Sequence, residues 1–348
     1  MCPKTMIDRN DRRVPMGKKI LVTGSAGHLG EALVRTLRNQ NHDVVGIDII
    51  ESDFTDHVGS IADRDFVRSC MQGVKFVIHS ATLHKPHVAT HSRQDFIDSN
   101  ITGCLNLLEE ATNENVKSFV FTSTTSTFGD ALRPIDDEPA VWITEDVNCI
   151  PKNIYGITKV AAENLCQLFY RNNQLPCIIL RTSRFFPEED DNSSIRSGFE
   201  DTNAKVNEML YRRVDLEDVV SAHLLAMEKA PQIGFSRYII SATTPFTESD
   251  LSELRINPHN VVRRLIPAFV DEYRRCGWKM FPSIDRVYVN DKARNELGWQ
   301  PKNNFKEIIN KLKNNLEPFS ELTKTISIKG YHAEQFKDGP YPVDKSIK

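Results

Sequence analysis

A glycine-rich turn set between an apolar run and an amphipathic one constrains this chain more than any other feature. Lys19-Ile-Leu-Val-Thr23 reads as a buried strand, and it runs directly into Thr23-Gly24-Ser-Ala-Gly27-His-Leu-Gly30. Behind the turn, Leu29, Leu33, Val34 and Leu37 recur at helical spacing. A strand entering a helix through three glycines is an arrangement that cradles a dinucleotide. Gly24 permits the tight turn, Gly27 lets backbone N–H groups approach a pyrophosphate, and the helix N-terminus adds partial positive charge. Three such glycines are a weak signal by themselves, so the context carries the argument. The next strand, Val44-Val-Gly-Ile-Asp48, ends in an acid placed to accept hydrogen bonds from adenosine ribose hydroxyls and to repel a 2′-phosphate. The expected cofactor is therefore NAD.

The alternation continues. Phe76-Val-Ile-His79, Phe119-Val-Phe-Thr-Ser123, Cys177-Ile-Ile-Leu-Arg181 and Arg237-Tyr-Ile-Ile-Ser241 read as strands. Residues 100–113, 155–171 and 215–229 read as helices between them. Strands alternating with helices predict an α/β fold, a doubly wound parallel sheet. After Arg181 the rhythm breaks. Residues 188–205 are acidic and poor in apolar residues, which predicts a loop or flexible lid. Short helical patterns punctuated by Pro245, Pro258, Pro267 and Pro282 predict a smaller, mostly helical lobe. The expected division is a flexible tail over 1–16 and a nucleotide-binding domain over 17–182, to which 212–241 returns. A substrate lobe is expected from 183–211 with 242–316, and a C-terminal tail over 317–348.

Composition narrows the partners. A formal charge of −3 over 348 residues gives no electrostatic reason to expect nucleic acid or an anionic membrane. No apolar run approaches the roughly 20 residues that span a bilayer, and residues 1–16 lack the apolar segment of a secretory signal. The seven cysteines make no C-x-x-C pair, which argues against a disulfide framework or structural zinc and for a reducing cytoplasm. His79, His84, His87 and His91 cluster in sequence, but no acid or cysteine completes a zinc set, so no metal is expected.

The reactive end is Tyr155-Gly-Ile-Thr-Lys159. Four residues apart on a helix, the phenol and the ammonium project from one face. An ammonium beside a phenol favours the phenolate and draws its pKa towards the working pH, which suits proton exchange with an alcohol oxygen. Together with the glycine turn, the pair resembles the extended short-chain dehydrogenase/reductase superfamily, within it the NAD-dependent epimerase/dehydratase family, over roughly residues 18–316. Val77-Ile-His79-Ser-Ala81, Asn100-Ile-Thr-Gly-Cys-Leu-Asn-Leu-Leu108, Phe121-Thr-Ser123-Thr124-Thr-Ser-Thr-Phe-Gly129 and Leu297-Gly-Trp-Gln-Pro301 are similar to further segments of that family, in the same order.

The resemblance implies a Rossmann fold and a set of site residues. Thr124 would hydrogen-bond the reacting oxygen, Tyr155 exchange the proton, and Lys159 hold the nicotinamide ribose and stabilise the phenolate. His28 and Leu29, in the glycine turn, would join Gly24, Gly27, Gly30 and Asp48 at the cofactor. Ser80, Ala81, Thr82 and His84 would line it, with Ser60 and Ile61 near adenine and Asn100 and Ser183 also in contact. The family more often has Asp where this chain has Ser60. Its dehydratases carry Asp-Glu where this chain has Thr125-Ser126, so dehydration is disfavoured. Arg184 stands where nucleotide-sugar enzymes have asparagine; it either grips a phosphate or carboxylate of the substrate or pairs with the acids at 188–191. Arg212 lies near the family's diphosphate-binding arginine.

Three readings follow: an epimerase or related oxidoreductase on a nucleotide-sugar-like small molecule, an alcohol dehydrogenase or ketone reductase on a small non-nucleotide substrate, and a non-catalytic dinucleotide sensor. Apolar residues on the helices over 101–113 and 156–170, including Leu108, Leu165, Leu168 and Phe169, together with the family's habit of pairing these helices, predict a homodimer.

Overall fold

A computed structural model describes residues 18–330; the expected tail over 1–16, and residues 331–348 of the second, lie outside the described residues. In chain order, the first half runs β1 (Lys19–Thr23), α1 (His28–Asn39), β2 (Asp43–Asp48), β3 (His57–Val58), α2 (Arg64–Met71), β4 (Val74–His79), α3 (Arg93–Ile97), α4 (Gly103–Asn113), β5 (Ser118–Thr124), β6 (Val141–Ile143), α5 (Ile154–Asn173) and β7 (Cys177–Thr182). There follow α6 (Ser193–Gly198), α7 (Asp201–Glu208), α8 (Leu216–Ile233), β8 (Phe235–Ile240), α9 (Leu251–Ile256), α10 (Pro258–Leu265), α11 (Phe269–Cys276), β9 (Arg286–Tyr288), α12 (Phe305–Lys313) and α13 (Glu321–Ile326).

Seven strands form one parallel sheet in the order β3-β2-β1-β4-β5-β7-β8. The order reverses between β1 and β4, which opens a crevice beyond the carboxyl ends of those strands. The central strands are apolar on both faces because helices cover both. On one face Ile20, Val22, Ile78, Val120, Ile178 and Leu180 meet α1 and α8. On the other, Leu21, Val77, Phe119, Phe121 and Ile179 meet α2, α4 and α5. Leu108 and Phe169, expected on an outward face, are buried in this second layer. Leu165 is partly buried against it, and Leu168 alone of the four is largely exposed.

The segment read as a lid is substantially helical. Asn192 caps α6 and Glu200 caps α7, each carboxyl or amide oxygen accepting backbone N–H groups at the helix start. Asp190 and Asp191 are held by Arg184, Asp190 also by Arg212, and Asp201 by Lys205, so a composition that reads as loop folds into ordered structure. A further apolar cluster joins Ala140, Val206, Leu210, Val261, Phe269, Tyr273 and Phe305, and β6 pairs with β9 in a two-stranded ribbon beside it. Residues 317–330, read from sequence as tail, include α13, whose Ile326 is buried with α1 and α8.

Candidate functional site

Two cavities meet at Tyr155 above the carboxyl ends of the strands. The larger, about 550 Å³, is walled by the glycine turn, the end of β2, the loop after β4, and Tyr155 and Lys159 of α5. Gly24, Gly27, His28, Leu29, Gly30, Asp48, Ser60, Ile61, Ser80, Ala81, Thr82 and His84 all line it. Gly24 has φ +73°, in the left-handed region, and a Cβ there would meet Ala81 N at 2.8 Å; a Cβ on Gly30 would meet Gly24 O at 1.9 Å. The turn must therefore be bare for the strand, the loop and the helix to close on one another. Gly27 starts α1 without a side-chain cap, which leaves the helix's first N–H groups for an anion. Asp48 binds Ala26 N at 3.0 Å and Ile50 N at 3.0 Å. Burial raises its pKa, against those N–H bonds.

The loop after β4 is fastened from below. Ser80 Oγ donates to Thr23 O at 2.6 Å, and Thr23 Oγ1 accepts from Ala81 N at 3.1 Å. Asn100 departs from its expected role. It is buried outside the cavity wall, its amide donating to Leu83 O (2.9 Å) and Thr158 Oγ1 (3.0 Å) while its oxygen accepts from Leu83 N (2.8 Å) and Thr82 Oγ1 (3.0 Å). With its donors and acceptors so engaged, it shapes the loop over Thr82 and Leu83. Ser183 likewise lines the second cavity, not the first. Its hydroxyl is buried with no hydrogen-bond partner among the described residues. A bare turn, an uncapped helix start and an orphan hydroxyl at the reactive end together fit a dinucleotide.

At the junction, Tyr155 is buried, and burial pushes its phenol up to about 12 against a hydrogen bond from Thr124. Lys159, 2% exposed, donates to Thr122 O at 2.7 Å and lies 4.5 Å from the Phe121 ring centre. Burial pushes its pKa down to about 8, partly offset by Cys104 and by Glu163. The expectation that the lysine lowers the tyrosine's pKa does not hold here. The ammonium is turned to a strand carbonyl, and desolvation outweighs the Thr124 hydrogen bond at the phenol. Beneath the pair, Glu163 accepts from Ser123 Oγ (2.6 Å), Arg181 (2.8 and 3.0 Å) and Arg237 (3.1 Å). That buried network fixes both the end of β5 and the register of α5.

The second cavity, about 290 Å³, is lined by Thr124, Tyr155, Ser183, Arg184, Arg212, Arg286 and others. Arg184 Nη1 lies 2.7 Å from Asp190, 3.4 Å from Glu208 and 3.5 Å from Asp191, so of the two sequence alternatives the structure takes the pairing with acids. Arg212 pairs with Glu208 at 2.7 Å, as does Arg213. Burial would raise the Glu208 carboxyl, but Arg184, Arg212 and Arg213 together hold it well below the carboxylate range. Sequence reading missed Lys152, Phe185, Phe186, Arg286 and Tyr288 here, and Lys329 and Gly330 at the larger cavity. Phe185-Phe186 directly follows Arg184 and Lys152 lies three residues before Tyr155, so these were legible; the others come from distant chain segments with no local signature. Among the described residues no His, Cys, Asp and Glu group could hold a metal.

The model of the NAD dependent epimerase/dehydratase family matches residues 20–239. A UDP-glucose 4-epimerase of Lactobacillus helveticus is 26% identical over 82% of this chain and 92% of its own. A dTDP-D-glucose 4,6-dehydratase of Dictyostelium discoideum is 29% identical over 49% of this chain, which spans only 44% of that relative's length. Among solved structures, a short-chain dehydrogenase/reductase superfamily protein from Agrobacterium tumefaciens with bound NAD superposes with a TM-score of 0.59 at 22% identity, covering 85% of this chain and 97% of that one.

Proposed function

This chain belongs to the NAD dependent epimerase/dehydratase family, and from that premise we propose that it moves hydride at a secondary alcohol or ketone, most simply as an epimerase of a nucleotide-sugar-like substrate. The observation that carries the proposal is the convergence of Thr124, Tyr155 and Lys159 where the two cavities meet. Gly24, Gly27, Asp48 and the loop over 80–84 would hold the coenzyme, and Ser183 its reactive end. Bound NAD supplies the hydride acceptor, and after reduction the donor. The chain does the rest: Thr124 orients the substrate oxygen, Tyr155 exchanges its proton, and Lys159 supplies positive charge at the same face. A protonated phenol is suited to donating to a ketone oxygen. In the oxidative direction it needs a cation nearby, and Lys159 is the buried cation of α5. Epimerisation would require the second cavity to let a ketone present either face to the coenzyme, with Tyr155 returning the proton to its oxygen. Thr125 and Ser126 offer no acid to expel water, which counts against dehydration.

The Lactobacillus helveticus relative, aligned over most of both chains, supports a nucleotide-sugar. A second reading, a small non-nucleotide alcohol or ketone, is favoured by a smaller cavity of about 290 Å³ and by arginines already paired with carboxylates. We further place the enzyme in the cytosol and as a homodimer. Ile157 and Leu168, three helical turns apart on one side of α5, are 51% and 47% exposed, a residual apolar stripe suited to a second copy. Tyr155→Phe tests the central claim. Turnover should fall by about 10²–10⁴-fold while NAD affinity stays within twofold, and an active variant would remove the phenol from the mechanism. Calorimetric binding of UDP-glucose, or its absence alongside turnover of a simple polyol, separates the two substrates.

A further inference from the structure

After α13 the chain turns at Ser327 (φ 52°) and runs along the rim of the larger cavity, where Lys329 and Gly330 form part of the wall. Two buried acids hold it there. Glu188, on the loop after β7, accepts the Lys329 N–H at 3.2 Å and the Gly330 N–H at 3.3 Å through Oε1, the oxygen that also lies 2.7 Å from His28 Nε2 in the glycine turn. Glu31, in the first turn of α1, pairs with the Lys329 ammonium and with Arg35 at 2.6 Å. The segment therefore links three parts of the molecule across one opening: the carboxyl end of the described chain, the loop leaving the sheet, and the helix start.

The charges explain what this could do. The N-terminal end of α1 is where a pyrophosphate would sit, yet Glu31 and Glu188 are buried beside it and Asp48 lines the same cavity. Although Arg35 also pairs with Glu31 and His28 lies against Glu188, these carboxylates would repel two phosphate charges brought beside them in a region of reduced dielectric. Among the described residues lining the cavity the lysines are Lys159, at the reactive end, and Lys329. We propose that Lys329 is a coenzyme-binding residue, and that residues 327–330 strap the dinucleotide into its cavity by offsetting the acids around its pyrophosphate. This rests on the reading that the larger cavity takes NAD. It deepens that reading, because a coenzyme oxidised and reduced in place must be released slowly.

The full-length chain is loaded with NADH, and dissociation is followed by the loss of coenzyme fluorescence on dilution. Lys329→Ala should speed release about tenfold, the loss of one charge-assisted contact. Lys329→Arg should restore it, and Lys329→Glu should exceed the alanine effect. Adenosine, which lacks the pyrophosphate, should bind the wild type and Lys329→Ala within twofold of each other. An unchanged NADH release rate in Lys329→Ala overturns the strap alone. An equal loss for adenosine and NADH also overturns it, by making the effect one of shape rather than charge. No NADH binding by the unaltered chain overturns the dinucleotide reading, and this proposal with it.

Discussion

At the scale of single residues, Lys159 shows how the site trades stability for chemistry. Its ammonium is enclosed, and burial pushes its pKa from 10.5 down to about 8. Between those values the unfolded chain keeps a proton that the folded chain has released, so this residue makes stability rise with pH from about 8 to 10.5. Below 8 the cost is present in full, roughly 3 kcal/mol, offset by about 1 kcal/mol from the bond to the Thr122 carbonyl. Lys159→Met, similar in volume, should therefore unfold at higher denaturant at pH 7, by about 2 kcal/mol, with the gap closing towards pH 10.5 and turnover lost. A variant less stable than wild type at pH 7 would show that the ammonium is not paying a desolvation penalty. The lysine itself was legible from its spacing to Tyr155. Its partner was not, since the carbonyl of Thr122 is brought beneath it only when β5 and α5 pack.

At the scale of elements, the loop after β4 is an edge of the larger cavity, and it is held by a helical turn whose Ser99 also lines that cavity. The turn over Asp98–Thr102 is wound as a π-helix between α3 and α4, a local widening that recurs at functional sites. It presents Asn100 to Leu83, Thr82 and Thr158 at once. Asn100→Ala removes the acceptor of the part-buried Leu83 N–H, while Thr82 Oγ1 still donates to Leu83 O, and should cost about 1–2 kcal/mol in urea unfolding. NAD affinity should fall with it, because Thr82 and His84 are on the same loop. A change below about 0.5 kcal/mol would mean the loop finds other partners. Sequence pattern placed this helix and named its asparagine, but not the loop groups its side chain binds. The direction in which an amide faces is a property of packing, which helical spacing leaves open.

For the whole molecule, the open question is its association. Leu108 and Phe169 are spent on the interior, so what remains for a partner is the stripe of Ile157 and Leu168 on α5, with Ile97 of α3 also 37% exposed. Sedimentation of the wild type should give twice the chain mass. The double variant Ile157→Asp with Leu168→Asp should give one, with NAD binding unchanged. A monomeric wild type would end the dimer proposal and leave this stripe as ordinary exposed apolar surface. The rest of the molecule is coupled through α8. Asp218 binds Lys302 N at 2.7 Å and Asn303 N at 2.9 Å, while Trp299 Nε1 donates to the Asp218 carbonyl at 3.2 Å. The late Leu297-Gly-Trp-Gln-Pro301 segment is thus tied to the face of the sheet.

The sequence by itself determined the parallel sheet, the bare glycine turn, the acid at the end of β2 and the tyrosine–lysine pair. Each depends on neighbours within a few residues: a period of apolar side chains, a missing Cβ, one helical turn of spacing. The tertiary structure decided which charges are free to meet a ligand. Arg184 and Arg212 face carboxylates from α7 and the 188–191 loop, and Lys329 arrives at the coenzyme cavity from almost 300 residues beyond the turn it meets. Burial, which raises the pKa of Tyr155 and lowers that of Lys159, likewise exists only once the layers have closed. Local pattern specifies the chemistry a residue can perform; long-range packing sets its partner, its charge and its access.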